Sequence, residues 1–378
     1  MNTDLPYWIA FSRIPGIGRA RYVLMEGGFR SLADAWRASA SELRACGMDE
    51  RSVEAIVAAR PGISPDAEME RLARSDVTAL TWHDAAYPAR LKEIYDPPPV
   101  LYVRGELTSA DEWAIAVVGT RRATAYGREV AERLAGDLAR NGITVVSGLA
   151  RGIDHVAHRA ALEAGGRTIA VQACGLDMVY PAEHLGLAQQ IAGQGALISD
   201  YPLGTKPRPE FFPRRNRIMS GVSLGVLVVE APEGSGALIT SSLAMEQNRE
   251  VFAVPGSVLT PASRGPHRLI QDGAKLVTDV QDILEELNLQ ASSRPIQMEM
   301  RELLPASDDE AELLRILAMA SDHYPILDMF NVFDRHDVPV KDRPARRQAF
   351  REQMRSDLSA AGDVQELSFT LYEDENET

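Results

Sequence analysis

The stretch that decides the fold spans residues 114–172 and reads AIAVVGTRRATAYGREVAERLAGDLARNGITVVSGLARGIDHVAHRAALEAGGRTIAVQ. Short apolar runs alternate in it with amphipathic segments. The first run, Ala114–Val118, is apolar throughout, which is typical of a strand buried on both faces. The segment that follows places its apolar residues on one helical stripe. The pattern predicts strands at Ala114–Val118, Ile143–Ser147 and Thr168–Gln172, and helices at Gly127–Asn141 and Ile153–Ala164.

The same alternation continues toward the carboxyl terminus. Repeated βα units of this spacing predict an α/β fold with a doubly wound parallel sheet and right-handed crossovers. Ligands of such sheets bind at the carboxyl ends of the strands, so the loops there carry the functional signal. The further predicted elements are helix Glu183–Ala192, strand Ala196–Ser199, a short helix at Arg215–Gly221, strand Leu224–Val229, helix Ala237–Asn248 and strand Val251–Val254.

Smaller segments flank the predicted sheet domain, which we place at residues 76–290. Residues 1–72 are predicted to form a helical domain, in which Pro15-Gly16-Ile17-Gly18 resembles the turn of helix-hairpin-helix modules. A plain turn between two helices explains that tetrapeptide equally well. Residues 291–309 are polar and read as a linker, and residues 310–378 suggest a small winged-helix-like domain of three helices and a strand.

The charge of the chain is unevenly distributed. The 378 residues carry a net charge of −14, which by itself argues against a nucleic-acid binder. Yet residues 114–275 hold 17 basic and 14 acidic side chains, whereas residues 291–378 hold 10 and 19. The two cysteines give no disulfide framework and no metal-ligand spacing, and we expect no cofactor. Neither a signal peptide nor a membrane span is indicated, so a cytoplasmic protein is expected.

Two loops after predicted strands combine glycine with basic residues. Arg121 and Arg122 follow Gly119 at the start of a helix, where free N–H groups favour anions. A surface loop that merely carries two arginines is the alternative. The second loop, Ser147–Gly152, contains Gly148 and Arg151 and leads into Asp154, His155 and His158. We interpret those histidines as packing residues of a helix rather than as metal ligands.

Basic and aromatic residues are interleaved between Gly204 and Arg217. Cations that follow phosphates and rings that stack on bases suit single-stranded nucleic acid. The alternative is that Phe212 anchors the loop while the arginines face water. We expect one phenylalanine to be buried and the other to be available. The residues concerned are Lys206, Arg208, Phe211, Phe212, Arg214, Arg215, Asn216 and Arg217.

A fourth loop, Glu230–Ala237, opens a helix with Gly234-Ser235-Gly236, a turn suited to a phosphate. Several anion sites along one edge of a sheet fit a polyanionic strand better than one small cofactor. Catalysis finds little support, because no nucleophile elbow, Cys–His pair or two-metal acidic triad is present. Glu230 is the only candidate base.

Residues 80–275 resemble the DNA-processing protein A family (DprA, also called Smf). The resemblance rests on Val117–Arg121, Val146–Asp154, Phe212–Ile218, Ser235–Thr240 and Val254-Pro255-Gly256, among other segments in the same order. It implies an extended Rossmann-like domain that binds single-stranded DNA, protects incoming DNA during natural transformation and loads the RecA recombinase as a homodimer. It also places the family's DNA-contacting arginine at Arg121.

Taken together, the sequence predicts sequence-independent binding of single-stranded DNA and no enzymatic activity. A nucleotide-binding hydrolase of the lysine-decarboxylase-like phosphoribohydrolase type remains the alternative, because its glycine-rich helix start resembles Gly234–Thr240. A scaffold that only binds partners is a third possibility. The predicted DNA-binding residues are Arg121, Arg122, Gly148, Arg151, Lys206, Phe211, Phe212, Arg215, Asn216, Arg217, Ser235 and Gly236.

Overall fold

The computed structural model describes residues 4–287, and this part of the chain is an α/β structure built on one sheet. Nine strands follow each other across that sheet in the order β1-β2-β6-β5-β4-β3-β7-β8-β9. They are β1 (Thr78–Thr81), β2 (Val100–Gly105), β3 (Ala114–Val118), β4 (Thr144–Ser147), β5 (Thr168–Val171), β6 (Ala196–Ser199), β7 (Gly225–Val228), β8 (Glu250–Ala253) and β9 (Lys275–Leu276).

The strands from β3 to β9 pair in parallel, which confirms the predicted parallel core. The edge formed by β1 and β2 differs, because β2 pairs antiparallel with both β1 and β6. Only residues 106–113 separate β2 from β3. A crossover to a parallel strand takes about a dozen residues or more, so the chain reverses direction here. The sheet is therefore mostly, not wholly, parallel.

The predicted helices between the strands are present with shifted ends. The largest shift is at α11, which begins four residues before the predicted start and so includes Phe211 and Phe212. The helices are α1 (Leu5–Ser12), α2 (Arg19–Gly28), α3 (Leu32–Arg37), α4 (Ala40–Ala45), α5 (Glu50–Ala59), α6 (Pro65–Arg74), α7 (Ala89–Lys92), α8 (Ala125–Arg140), α9 (Ile153–Glu163), α10 (Leu185–Gln194), α11 (Phe211–Val222), α12 (Gly236–Glu246), α13 (Arg264–Gln271) and α14 (Val280–Glu286).

The amino-terminal helices begin at side-chain caps. Ser39 and Glu42 form a capping box at the start of α4, and Asp49 accepts from the Ser52 N–H at the start of α5. Between α1 and α2 the chain turns at the predicted Pro15–Gly18 tetrapeptide, where Gly16 has φ +89°. This left-handed conformation favours glycine.

Helices α1–α6 share a hydrophobic core with the sheet. Trp8, Phe11 and Tyr22 belong to the same buried cluster as Tyr102 and Leu197 of the strands. The Ser12 and Tyr102 hydroxyls lie 2.7 Å apart, so α1 is also joined to β2 by a hydrogen bond. The predicted boundary between residues 72 and 76 therefore crosses a continuous core, and residues 4–287 belong to one compact unit.

Several predictions fall outside the described residues. These are the last three residues of the predicted sheet domain, the linker 291–309 and the winged-helix-like domain 310–378. In the described part of the chain, no helix has both the length and the apolar character required to cross a membrane.

Candidate nucleic-acid interface

The order of the strands points to one edge of the sheet as the binding site. The chain runs from β3 through β4 and β5 to β6 on one side and then crosses back to β7 on the other. The point where strand order reverses thus lies between the carboxyl ends of β3 and β7, where ligands of open α/β sheets bind. We call the loops that follow β3 to β7 at this edge the rim.

Glu230 holds the first rim loop, residues 119–124, in place. The Thr124 N–H and hydroxyl donate to the two carboxylate oxygens of Glu230, at 2.9 and 2.6 Å. The Thr120 N–H donates to the Glu230 carbonyl oxygen at 2.7 Å. Glu230 is only 1% exposed, so the one candidate base of the sequence is enclosed and occupied. Its position indicates that it fixes the loop that carries Arg121 and Arg122.

The second rim loop, residues 147–152, is shaped by Asp154. This buried carboxylate accepts hydrogen bonds from the N–H groups of Gly148 and Ala150, at 3.1 and 3.3 Å. Burial raises the pKa of Asp154, and the nearby charge of Arg215 opposes that shift. Among the described residues, no group of three or more His, Cys, Asp or Glu side chains is arranged to hold a metal ion.

Several residues predicted to contact DNA are buried or held in ion pairs. Arg215 is 4% exposed and donates to the Val171 carbonyl oxygen, and Gly148 is glycine because a Cβ there would collide with this guanidinium. Asn216 is buried and donates to the Gly236 carbonyl oxygen at 3.2 Å. Arg217 is paired with Asp200 at 2.9 Å and with Asp96 at 3.3 Å. Each of these three side chains is therefore held by other groups of the protein, and direct contact of any of them with DNA stays a prediction.

Helical periodicity explains why Arg215 is buried. In α11, Arg215 shares one face with Ile218, Met219 and Val222, all of which are buried. Arg214, next to it in the sequence, is exposed. The predicted helix starts only at Arg215, so the sequence pattern does not place Arg214 and Arg215 on different faces, and Arg214 is not among the predicted DNA-binding residues.

Exposed cations remain along the rim. Within residues 4–287, no carboxylate lies within 4.0 Å of the charged groups of Arg121, Arg122, Lys206 or Arg214, although all four are exposed. Arg208 is also exposed and lies 4.0 Å from Glu210. This part of the rim can therefore accept phosphate groups without first breaking an ion pair.

Two aromatic rings accompany these cations. The guanidinium of Arg121 lies 5.3 Å from the centre of the Phe212 ring, which in turn lies 5.6 Å from Tyr180. Phe211 is stacked on Tyr201 at 4.4 Å, and Arg208 lies 5.8 Å from its centre. Both phenylalanines are half-buried, which corrects the prediction that one is buried and the other available. Each presents part of a ring beside an arginine.

The cleft between these loops is small, with a volume of about 30 Å³. Small-molecule sites usually enclose roughly 300–1,000 Å³, so this cleft suits a polymer lying across it better than an enclosed nucleotide. A groove of about 680 Å³ lies elsewhere, along α8 and α9, and is lined mainly by charged side chains. The cleft is lined by Arg121, Gly148, Ala150, Arg151, Tyr180, Pro181 and Phe212.

The fourth predicted loop also lies on the rim. Ser235 caps α12 by accepting from the Ala237 N–H at 3.3 Å, and Gly236 is exposed at the first turn. The side-chain amide of Asn216 donates to the Gly236 carbonyl oxygen. The start of this helix is therefore open to an anion, as the glycine-rich sequence predicts.

A buried histidine beneath the second loop makes stability depend on pH. The Thr168 hydroxyl donates to the Val145 carbonyl oxygen, so Nδ1 of His158, 2.7 Å from that hydroxyl, must donate to it. Burial lowers the pKa of His158 to about 3, whereas the ordinary value is 6.5. His158 is thus neutral in the folded protein at pH values where the unfolded chain takes up a proton.

We expect the difference between the pKa of His158 in the folded and in the unfolded chain to weaken the fold as the pH falls from about 6.5 toward 3. The stabilisation due to neutral His158 is complete above the pKa that histidine has in the unfolded chain. Below that pH, its loss approaches about 1.4 kcal/mol per pH unit for one proton. In urea unfolding over this range, His158→Gln, whose amide can still donate to Thr168, should depend less steeply on pH than the wild type. Identical slopes would contradict the assignment.

Comparison with known proteins is consistent with this geometry. A family model described as DNA recombination-mediator protein A matches residues 78–288. Protein Smf of Synechocystis sp. is 38% identical over 291 residues, which are 76% of this chain and 73% of that protein. The DNA processing protein DprA of Bacillus subtilis is 50% identical over 202 residues, or 53% of this chain and 68% of that protein.

Two solved structures are also similar. The X-ray structure of DNA processing protein A from Streptococcus pneumoniae has a TM-score of 0.63 and 36% identity, and the match covers 74% of this chain and 96% of that one. The Helicobacter pylori protein, whose structure was described for its single-stranded DNA binding mode, has a TM-score of 0.51 and 30% identity. That match covers 57% of this chain and 99% of that one.

Proposed function

Because this chain belongs to the DNA recombination-mediator protein A family, we propose that it binds single-stranded DNA along the rim, without sequence preference, as a DNA-processing protein of natural transformation. The observation that carries the proposal is the pairing of exposed arginines with half-exposed rings, Arg121 with Phe212 and Arg208 with Phe211. Cations hold the phosphates of a strand, and rings stack on its unpaired bases. In duplex DNA the bases are stacked on one another, so their faces are not available to these rings.

In this proposal, the exposed residues among the predicted DNA-binding residues contact the strand. Arg121, Arg122 and Lys206 take phosphates, joined by Arg208 and Arg214, and Gly236 offers the open start of α12. Arg215, Asn216 and Arg217 support this surface from inside. Gly148 makes room for Arg215.

The proposal is tested by binding of a fluorescently labelled oligothymidylate and of a duplex of equal length at several salt concentrations. We expect tighter binding of the single strand, with an affinity that falls linearly on a log–log plot against salt. Lys206→Ala should weaken binding and lower the magnitude of that slope by about 0.7, the value for one phosphate of a single strand. Equal affinity for duplex and single strand would refute the role of the rings.

The phosphoribohydrolase alternative is not favoured. Its candidate base, Glu230, is enclosed and accepts hydrogen bonds from Thr124. The cleft is also much smaller than an ordinary nucleotide pocket. A scaffold without DNA affinity leaves the unpaired cations of the rim unexplained.

The finer features of this proposal follow the family. They are loading of the RecA recombinase, which suits a recombination mediator, assembly as a homodimer, and a place in the cytoplasm. The proposal also includes an extended Rossmann-like sheet domain. An amino-terminal helical part of the SAM or helix-hairpin-helix type, whose core continues into that of the sheet, precedes it, and a winged-helix-like domain follows it. The turn at Pro15–Gly18 between α1 and α2 supports the amino-terminal assignment.

A further inference from the structure

One cation at the cleft, Arg151, is already occupied. Its Nε and Nη2 donate to the two carboxylate oxygens of Glu183, at 2.6 and 2.7 Å. Both side chains are more than half exposed, at 62% and 52%. Arg151 lines the cleft together with Arg121, Tyr180 and Phe212, and so lies where a strand on the rim would pass.

The two-point geometry of this ion pair is the important feature. A guanidinium binds a carboxylate and a phosphate in the same way, through two parallel N–H donors. Glu183 therefore occupies the two donors of Arg151 that a phosphodiester would use. Because the pair is exposed to water, it contributes little stability and can be exchanged for another anion.

The carboxylate is held in place by the loop that carries its partner. Glu183 is followed by His184, whose Nδ1 lies 2.9 Å from the Leu149 carbonyl oxygen and donates to it. Leu149 and Arg151 belong to the same rim loop, so both halves of the ion pair are attached to this loop. Releasing Arg151 then needs only a side-chain movement of Glu183.

We propose that Glu183 is a built-in competitor of DNA, which holds Arg151 in the free protein and gives way to a phosphodiester when a strand binds. The inference rests on the proposed function. It assigns to Glu183 the role of limiting affinity, so that binding at Arg151 replaces one ion pair with another. A carboxylate that only oriented Arg151 toward the strand would have the opposite effect on affinity.

The two roles predict opposite effects of Glu183→Gln on binding of a labelled oligothymidylate. As a competitor, Glu183 lowers affinity, so the variant should bind roughly 2- to 5-fold more tightly at low salt, the range expected for an exposed ion pair. The gain should shrink at high salt because exposed charges are screened. It should also vanish in an Arg151→Gln background, since no guanidinium remains to be released.

Glu163→Gln is the matched control, because it removes the same charge and breaks an exposed ion pair with Arg159 in the groove along α8 and α9. Its affinity should equal that of the wild type. An equal gain in the control, a gain that persists without Arg151, or an unchanged or weakened affinity of Glu183→Gln would overturn the proposal. If no variant and no wild-type protein binds DNA, the proposed function itself fails and takes this inference with it.

Discussion

Replacing Arg215 with methionine is expected to lower the free energy of unfolding by about 3 kcal/mol, the scale measured when one partner of a buried charge pair is removed. The guanidinium is enclosed beneath two rim loops, where burial lowers its pKa to about 10 and the charge of Asp154 opposes that shift. Methionine retains much of the aliphatic length of arginine but removes both the positive charge and the donor to the Val171 carbonyl oxygen. Asp154 would then be buried without its compensating charge.

Arg214→Met provides the matched control for this prediction. It removes the same charge from the neighbouring position on α11, but from an exposed side chain, so its effect should stay within about 0.5 kcal/mol. Urea unfolding of both variants measures the difference. If Asp154 is the reason, the cost of Arg215→Met should fall in an Asp154→Asn background. Similar midpoints for the two arginine variants would show that the buried charge does not stabilise the rim.

Arg214 and Arg215 also show which features of the structure the sequence alone does not predict. Alternating apolar runs and amphipathic stripes were sufficient to predict the parallel core, because burial on both faces leaves a clear pattern in β3–β8. Strand β2 begins with an apolar run of the same kind, but nothing in that run indicates that it pairs antiparallel with β1 and β6. The predicted helix covers only Arg215–Gly221 and leaves Phe211 and Phe212 in a loop, whereas the inward direction of Arg215 follows only from the full helix.

The rim loops could be predicted, but the groups that hold them could not. Glycines next to basic residues after a strand mark an anion-binding loop in any open α/β sheet. By contrast, Glu230 and Thr124 are far apart in the sequence, and only the pairing of β3 with β7 brings them together. The Arg151–Glu183 pair likewise depends on how two loops fold back onto one cleft. Contacts of this kind leave no local signal in a single sequence.

The largest effect on DNA binding is expected from Phe212→Ala and Arg121→Ala, and the two should differ in kind. Loss of a ring that stacks on a base costs about 1–3 kcal/mol, or roughly 5- to 150-fold in affinity, without changing the number of phosphates neutralised. The salt slope of Phe212→Ala should therefore equal that of the wild type. Arg121→Ala should bind about tenfold more weakly and lower the magnitude of the slope by about 0.7.

These two side chains touch, so their effects should not add. Arg121 lies 5.3 Å from the centre of the Phe212 ring, and each variant disturbs the position of the other residue. The double variant should lose less affinity than the product of the single losses, which fluorescence anisotropy on one oligothymidylate can measure. Trp113→Ala, at the start of β3 on the opposite edge of the sheet, and Arg133→Ala, in the groove along α8 and α9, serve as aromatic and basic controls. Comparable losses in the controls, or a changed salt slope in Phe212→Ala, would mean that the strand does not lie across this cleft.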